Sequence, residues 1–268
     1  MIDFKQFELQ GWEASVDQYD TSFGRLTRQT VPRMLDVLAV TQGTRFLDIA
    51  CGPGYLAAAA AEQGASAAGV DFSPAMVERA KHYYPKLAFT VGDAENLHGF
   101  ADGSLDAVGM NFGILHLADP EKALRAVYRV LAEGGRAAFT VWRPPHEAIG
   151  FALVLKAIEQ FGNSAVPLPQ GPAFFQYSDP DECARLLERC GFSHNIETVN
   201  LSWKLENPDE LFSAFYQGTA RTGGLLRRQR PEDLAKIRAT VRDAALEHRV
   251  NGEVVLPMPA QLAWGIRG

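Results

Sequence analysis

The sequence is poor in cysteine, short of basic charge and without long apolar runs. Three cysteines, Cys51, Cys183 and Cys190, cannot build a disulfide framework, and their spacing fits no zinc pattern. Reduced, buried thiols are the expectation, and no metal is called for. No stretch approaches the ~20 consecutive apolar residues that cross a bilayer. The opening segment, MIDFKQFELQGWEASVDQYD, lacks the basic-then-apolar pattern of a secretory signal. A cytoplasmic protein without a membrane span is therefore expected. Lys and Arg number 26 against 32 Asp and Glu, a net charge of -6. Nucleic-acid binders carry a basic footprint, so no nucleic-acid partner is expected and a small molecule is preferred. The short cluster Arg221, Arg227, Arg228 and Arg230 reads as a solvated face in an acidic protein. Hydrophobic residues are not scarce: they make up 47% of 268 residues, enough to bury the core of one large domain.

The first half alternates strand-like and helix-like segments, the pattern of a doubly wound parallel sheet in an α/β protein. Strands are expected at 44–50, 67–71, 87–91, 105–112 and 136–142. An alanine-rich helix is expected at 56–63. Two further helices open on Ser73-Pro74 and Asp119-Pro120, each a cap followed by proline at the first helical position. The second of these buries Leu124, Val127 and Leu131 at helical spacing and should stop at Gly134-Gly135. Beyond residue 142 the pattern loosens. Helices are expected at 147–161, from Asp179-Pro180 with Glu182 completing a capping box, after Asn207-Pro208, and at 231–248. One strand is expected over 196–205, with Val199, Leu201, Trp203 and Leu205 on one face. A last strand is expected over 254–266, interrupted or pushed to an edge by Pro257 and Pro259.

The chemistry concentrates in FLDIACGPGYLA (46–57), a strand, a tight glycine turn and a helix start. Gly52 and Gly54 let the backbone turn sharply and let a ligand lie against it. The N–H groups opening the next helix suit a carboxylate or phosphate. The same run also fits the G-x-G-x-x-G/A spacing of dinucleotide binding, so the neighbours must decide. Asp48 lies inside the strand before the turn, where a carboxylate needs hydrogen-bond partners or a cation, and a ligand ammonium would suit it. Asp71 ends the second strand, 17 residues after Gly54, where it can accept from both hydroxyls of a ribose. Asp93 ends the third strand and could accept from an adenine amino group. All three fall at the carboxyl edge of the sheet, where open α/β folds bind ligands.

Together these pieces resemble the class I methyltransferases, in particular small-molecule enzymes of the ubiquinone/menaquinone C-methylase type. The matching runs are LDIACGPG (47–54), GVDFSPAMVERA (69–80), VGDAENL (91–97) and the stretch from Phe100 to Trp142. The resemblance implies S-adenosylmethionine as cofactor and a small-molecule methyl acceptor, attacked through O, N or C. It implies a Rossmann-like, doubly wound, mostly parallel seven-stranded sheet with a reversed final strand and a helical substrate cap. Asp48, Ala50, Gly52 and Gly54 would hold the methionine moiety and Asp71 the ribose. Phe72 and Met76 would pack near the adenine, and Asp93 with Ala94 would meet its edge. Asn111 and Phe112 would lie under the cofactor near its methyl group. Trp12 and Tyr19 would belong to a lid, with Tyr19 reaching the cofactor. The whole chain is expected to be one domain: an N-terminal helical lid (1–43), a cofactor core (44–142) and cap insertions (143–178 and 206–253). A monomer or homodimer is expected.

His116, just after the fourth strand, is the candidate general base, since imidazole is the side chain that exchanges protons near neutral pH. His146 is a weaker candidate. Trp142, Phe174, Phe175, Trp203, Phe212 and Tyr216 serve either as an apolar acceptor pocket or as core. Three rival functions remain. A nicotinamide-dependent oxidoreductase would share the glycine turn, but no Tyr-x-x-x-Lys pair follows the fourth strand. A tRNA or other nucleic-acid methyltransferase acting on base amino groups often carries Asn/Asp-Pro-Pro-aromatic there, to hold a flipped base, whereas this chain has Asn111-Phe-Gly-Ile114. A non-catalytic S-adenosylmethionine-binding protein would keep the same loop and acids.

Overall fold

The computed structural model describes residues 2–268; Met1, which opens the expected lid, lies outside the described residues. Four helices come first: α1 (Phe4–Glu13), α2 (Val16–Thr21), α3 (Phe23–Thr27) and α4 (Val31–Val37). Asp3 caps α1 by accepting from the Gln6 N–H at 2.8 Å. The alternating half follows as β1 (Arg45–Ile49), α5 (Tyr55–Glu62), β2 (Ser66–Asp71), α6 (Pro74–Tyr83), β3 (Ala88–Val91), β4 (Leu105–Met110), α7 (Pro120–Val130) and β5 (Leu131–Trp142). Ser73 and Asp119 cap α6 and α7 as their sequence implies, accepting from the N–H groups of Met76 and Lys122. Then come α8 (Ile149–Phe161), α9 (Pro180–Arg189), β6 (Asn195–Val199), β7 (Ser202–Leu205), α10 (Asp209–Gly218), α11 (Arg221–Leu226), α12 (Pro231–Leu246), β8 (Arg249–Val250), β9 (Glu253–Pro257) and β10 (Ala260–Ile266).

The chain divides into two units. One comprises Thr27–Trp142, Gly171–Val199 and Ala260–Gly268. It holds a seven-stranded sheet in the order β3-β2-β1-β4-β5-β10-β6. β3, β2, β1, β4 and β5 are mutually parallel, while β10 runs antiparallel to both β5 and β6. The strand order therefore reverses direction between β1 and β4, and the final strand is reversed. Val31, Met34, Leu35 and Leu38 of the α4 region pack with Phe46, Leu56, Ala107 and Leu262 in one core cluster. A second cluster sets Cys51, Ala57, Val77 and Ala80 around Phe89. The other unit comprises the described residues up to Leu26, with Arg143–Gln170 and Asn200–Pro259. It is mostly helical, with a small sheet in the order β7-β9-β8. Its core packs Phe23 against Trp203 and Phe215, ring centroids 4.6 and 5.1 Å apart, and Phe151 against Phe215 at 4.9 Å.

Several local expectations are corrected. The single strand expected over 196–205 is two strands in different sheets, β6 and β7, because the chain leaves the large sheet at Asn200. The prolines of the last stretch do interrupt it, into β9 and β10, yet β10 is interior rather than an edge, since both prolines fall outside its hydrogen-bonded run. α7 ends at Val130, ahead of Gly134-Gly135: Leu131 already pairs with Leu105, and the glycines sit inside β5, with Gly134 at φ +76° and its N–H donating to the Arg267 carbonyl. Glu182 closes no capping box but pairs with Arg185 at 2.7 Å, and Asp179 caps α9 through the Asp181 N–H. Of the arginine cluster, Arg227, Arg228 and Arg230 are exposed as expected, and Arg221 is the exception. Arg221 meets Glu8, which is fully buried, at 2.7 Å and lies over the Phe4 ring; Arg227 and Arg228 donate to the Tyr216 and Gly224 carbonyls; Arg230 meets Asp233. All three cysteines are free and buried.

Candidate functional site

The carboxyl ends of β1, β2, β3 and β4 lie side by side around the point where strand order reverses, the place at which open α/β sheets take ligands. The chain leaves β1 through Ala50 at φ +51°, Gly52 at +49° and Gly54 at +84°. A left-handed non-glycine such as Ala50 costs roughly 1–2 kcal/mol. A Cβ added to Gly52 would meet nothing within 4 Å, so the turn is open on that side. One added to Gly54 would lie 2.6 Å from the Phe89 ring. Gly54 is therefore needed for close packing as well as for its dihedral, while Gly52 presents bare backbone.

Two buried carboxylates fasten this turn. Asp71 accepts from Gly52 N–H at 2.8 Å and from Ser73 N–H at 2.9 Å, tying the end of β2 to the turn after β1. Burial pushes its carboxyl up to about 6, against the N–H bonds of Ser73, Gly52 and Phe72 that favour the charged form. A carboxylate has about four acceptor sites, so these N–H bonds leave room on its oxygens for a hydroxyl donor. Asp48 accepts from Ala57 N–H at 3.0 Å, clipping the strand to the first turn of α5. Its carboxyl is pushed well above the usual range, first by burial and further by the neighbouring Asp71 charge. A cation arriving there would relieve both effects. Beside the positive end of α5, the Arg28 guanidinium lies 4.3 Å over the Tyr55 ring, so an anionic group is also suited to this turn.

The remaining expected residues divide between the two units. Phe72 is half-buried and Met76 buried at the start of α6. Asp93 turns inward on its own loop, accepting from Glu95 N–H at 2.9 Å, and Ala94 is buried beside it. After β4, Asn111 is held on both sides of its amide: its Oδ1 lies 2.6 Å from the Thr140 hydroxyl and 2.7 Å from that of Thr30, and its Nδ2 donates to the Thr27 carbonyl. Phe112 follows in a left-handed conformation, φ +56°, with its ring stacked 4.1 Å from Trp142 at 28°. Gly113 then packs so closely that an added Cβ would lie 2.6 Å from Ala50 Cβ. The turns after β1 and β4 thus touch. His116 closes a short 3-10 turn, Ile114–His116, with Phe174 edge-on at 5.9 Å and Phe175 beside Phe174. His146 is mostly exposed, 3.6 Å from Glu147. Tyr19 belongs to α2 of the helical unit, edge-on to Trp12 at 5.7 Å; Trp203 lies in that unit's core, and Phe212 stacks on Tyr216 at 5.6 Å. Among the described residues no group of three or more His, Cys, Asp or Glu is placed to hold a metal.

Sequence reasoning missed three site elements. Glu95, buried, accepts from the N–H groups of Ala118 and Asp119, and so joins the loop after β3 to the loop before α7. Its signal was the second acid of GDAE (92–95). Thr140 and Thr30 left no signal, because a threonine in a strand or before a helix is ordinary.

A sheet of this order, with an open glycine turn and buried acids at the ends of β1 and β2, defines a class I methyltransferase. The comparisons agree. A model of the methyltransferase domain matches residues 47–139. A demethylmenaquinone methyltransferase of Paenarthrobacter aurescens is 35% identical over 199 residues, 69% of this chain and 78% of that protein. One from Beutenbergia cavernae is 37% identical over 147 residues, 53% of this chain and 60% of that protein. Among solved structures, the YcgJ protein from Bacillus subtilis superposes with a TM-score of 0.59 at 20% identity, covering 89% of this chain and 97% of that one, which speaks to the fold. The chain belongs to the S-adenosylmethionine-dependent methyltransferases of the menaquinone/ubiquinone C-methylase type. S-adenosylmethionine is its cofactor, and no described helix is long and apolar enough to cross a membrane.

Proposed function

We propose that this chain methylates a small, flat, largely apolar acceptor, a hydroquinone of the kind its demethylmenaquinone relatives are named for, at a ring carbon. The observation that carries this reading is the aromatic set at the carboxyl end of β4. The Phe112–Trp142 stack and the His116–Phe174–Phe175 group offer flat apolar faces with one imidazole among them. Such faces hold a planar ring in offset or edge-on contact.

In this reading Asp48 meets the ammonium of the cofactor, the N–H groups of the glycine turn and Arg28 meet its carboxylate, and Asp71 accepts from the ribose hydroxyls. Ala50, Gly52 and Gly54 line the methionine moiety. Phe72 and Met76 flank the adenine, Asp93 and Ala94 meet its edge, and Asn111 and Phe112 lie beneath the reacting end. Bound there, the cofactor supplies a methyl group activated by a sulfonium. The residues supply alignment, which contributes ~7–11 kcal/mol in favourable cases. A ring carbon that takes the methyl group must give up its proton, and His116 is the base assigned to it. Acceptor choice is assigned to the segments 143–178 and 206–253, with Tyr19 as part of a lid.

The test is methyl transfer from radiolabelled S-adenosylmethionine to a reduced 2-alkyl-1,4-naphthoquinone. The expected result is one added methyl on the ring, with His116→Gln reducing turnover by on the order of 10²-fold or more while cofactor affinity holds. Transfer to amine or catechol acceptors with none to the naphthoquinol would overturn the acceptor. Full turnover by His116→Gln would overturn the base.

A further inference from the structure

We propose that Thr140, through its side-chain hydroxyl, is the positioning residue that holds Asn111 and Phe112 in their cofactor-facing conformation. The inference rests on the placement of the cofactor at these strand ends. Thr140 is fully buried in β5, one strand over from β4. Its hydroxyl works in both directions. It accepts from Phe112 N–H at 2.9 Å and donates to Asn111 Oδ1 at 2.6 Å. No solvent reaches this oxygen, so water cannot replace it.

Phe112 needs such a partner. A bulky aromatic in the left-handed region is an outlier that persists only where its surroundings over-determine it. Two contacts hold it, both from one stretch of β5. The hydroxyl of residue 140 takes the backbone N–H, and the ring of residue 142 takes the Phe112 ring. The alternation of a strand puts residues 140 and 142 on the same face. The same hydroxyl, together with that of Thr30, also orients the Asn111 amide so that its Nδ2 reaches the Thr27 carbonyl. One oxygen thus bonds both the main chain of Phe112 and the side chain of Asn111, two adjacent positions. Strain of this kind, held by a buried partner two strands from the glycine turn, is what a preorganised ligand contact requires.

The experiment compares Thr140→Val, which keeps the branched shape, with Thr140→Ser, which keeps the hydroxyl. Calorimetric titrations of the full chain with S-adenosylmethionine and S-adenosylhomocysteine give affinity and stoichiometry, and amide hydrogen exchange of Phe112 reports the bond directly. The expected result is about tenfold weaker binding per folded molecule in Thr140→Val, the size of one lost buried hydrogen bond, with faster Phe112 exchange and with both restored by Thr140→Ser. A merely structural role would lower the melting temperature and leave the affinity of folded molecules unchanged, and that result overturns the proposal. Asp71→Ala, run alongside, separates the two readings. Weakened binding there with none in Thr140→Val removes the role of Thr140 alone. Unchanged binding in both removes the placement of the cofactor as well.

Discussion

Raising the pH should do opposite things to the ligand-free fold and to cofactor binding, and Asp71 is the reason. Its carboxyl is lifted from 3.8 to about 6 by burial. Between those values the native protein holds a proton that the unfolded chain has lost. Stability rises with pH only where the unfolded state binds more protons, so here it must fall as pH climbs through the window. The difference between 3.8 and about 6 is worth ~3 kcal/mol, present in full below the unfolded value of 3.8 and lost as pH climbs through about 6. Ribose hydroxyls need the ionised form as acceptor. Affinity for S-adenosylmethionine should therefore improve about tenfold from pH 5 to pH 8, with the bend near the Asp71 value. Calorimetry in two buffers of different ionisation enthalpy counts the protons released on binding. Asp48 is also raised, by burial and by Asp71, and its proton release on meeting an ammonium persists in Asp71→Asn, so the mutant isolates the Asp71 share. A flat affinity across this range, or an Asp71→Asn variant with the wild-type slope, would refute the reasoning.

Two further outcomes follow from packing. Gly54→Ala puts a Cβ 2.6 Å from the Phe89 ring at a backbone φ of +84°; overpacking and left-handed strain together should cost ~2–4 kcal/mol in denaturant unfolding, and a loss below about 0.5 kcal/mol would mean that the turn relaxes freely. Glu8→Gln leaves Arg221, paired at 2.7 Å and largely buried, without its counter-charge; the helical unit should lose ~3 kcal/mol, read as a lower melting temperature, and an unchanged melting curve would show that the pair is dispensable.

The parallel half of the fold was legible because each element there carries its own start and stop: Ser73-Pro74 and Asp119-Pro120 open helices, Gly64 ends one at φ +88°, and the acids Asp48 and Asp71 mark strand ends. The order of pieces from 47 to 142 identified the family and with it the cofactor. The second half was harder to read for physical reasons. Residues 196–205 keep an alternating pattern across Asn200, although the chain there passes from one sheet to another, and alternation reports a buried face without naming its sheet. In the largely exposed arginine run from 221 to 230, Arg221 alone turns inward, because its partner is the buried Glu8, which is distant in sequence. The acids could be named individually, whereas Thr140 could not, since its bonds with Phe112 N–H and Asn111 Oδ1 arise only where β5 lies against β4.

The strained residues explain where the reading of the sequence had to stop. Ala50 and Phe112 adopt left-handed conformations that local preference would not assign to alanine or phenylalanine, and both stand at strand ends on either side of the point where strand order reverses. Positions that break local rules inside an otherwise consistent fold are where function is expected to hold the chain against its preference. Here the two are interdependent. Gly113 follows Phe112 and packs on Ala50 so closely that no side chain fits between them, so relaxing either turn would displace the other. Replacing Phe112 by glycine would remove the strain but also the ring stacked on Trp142. The strain costs stability, and the stack on Trp142, on which the proposed acceptor face depends, exists only while the ring is held there.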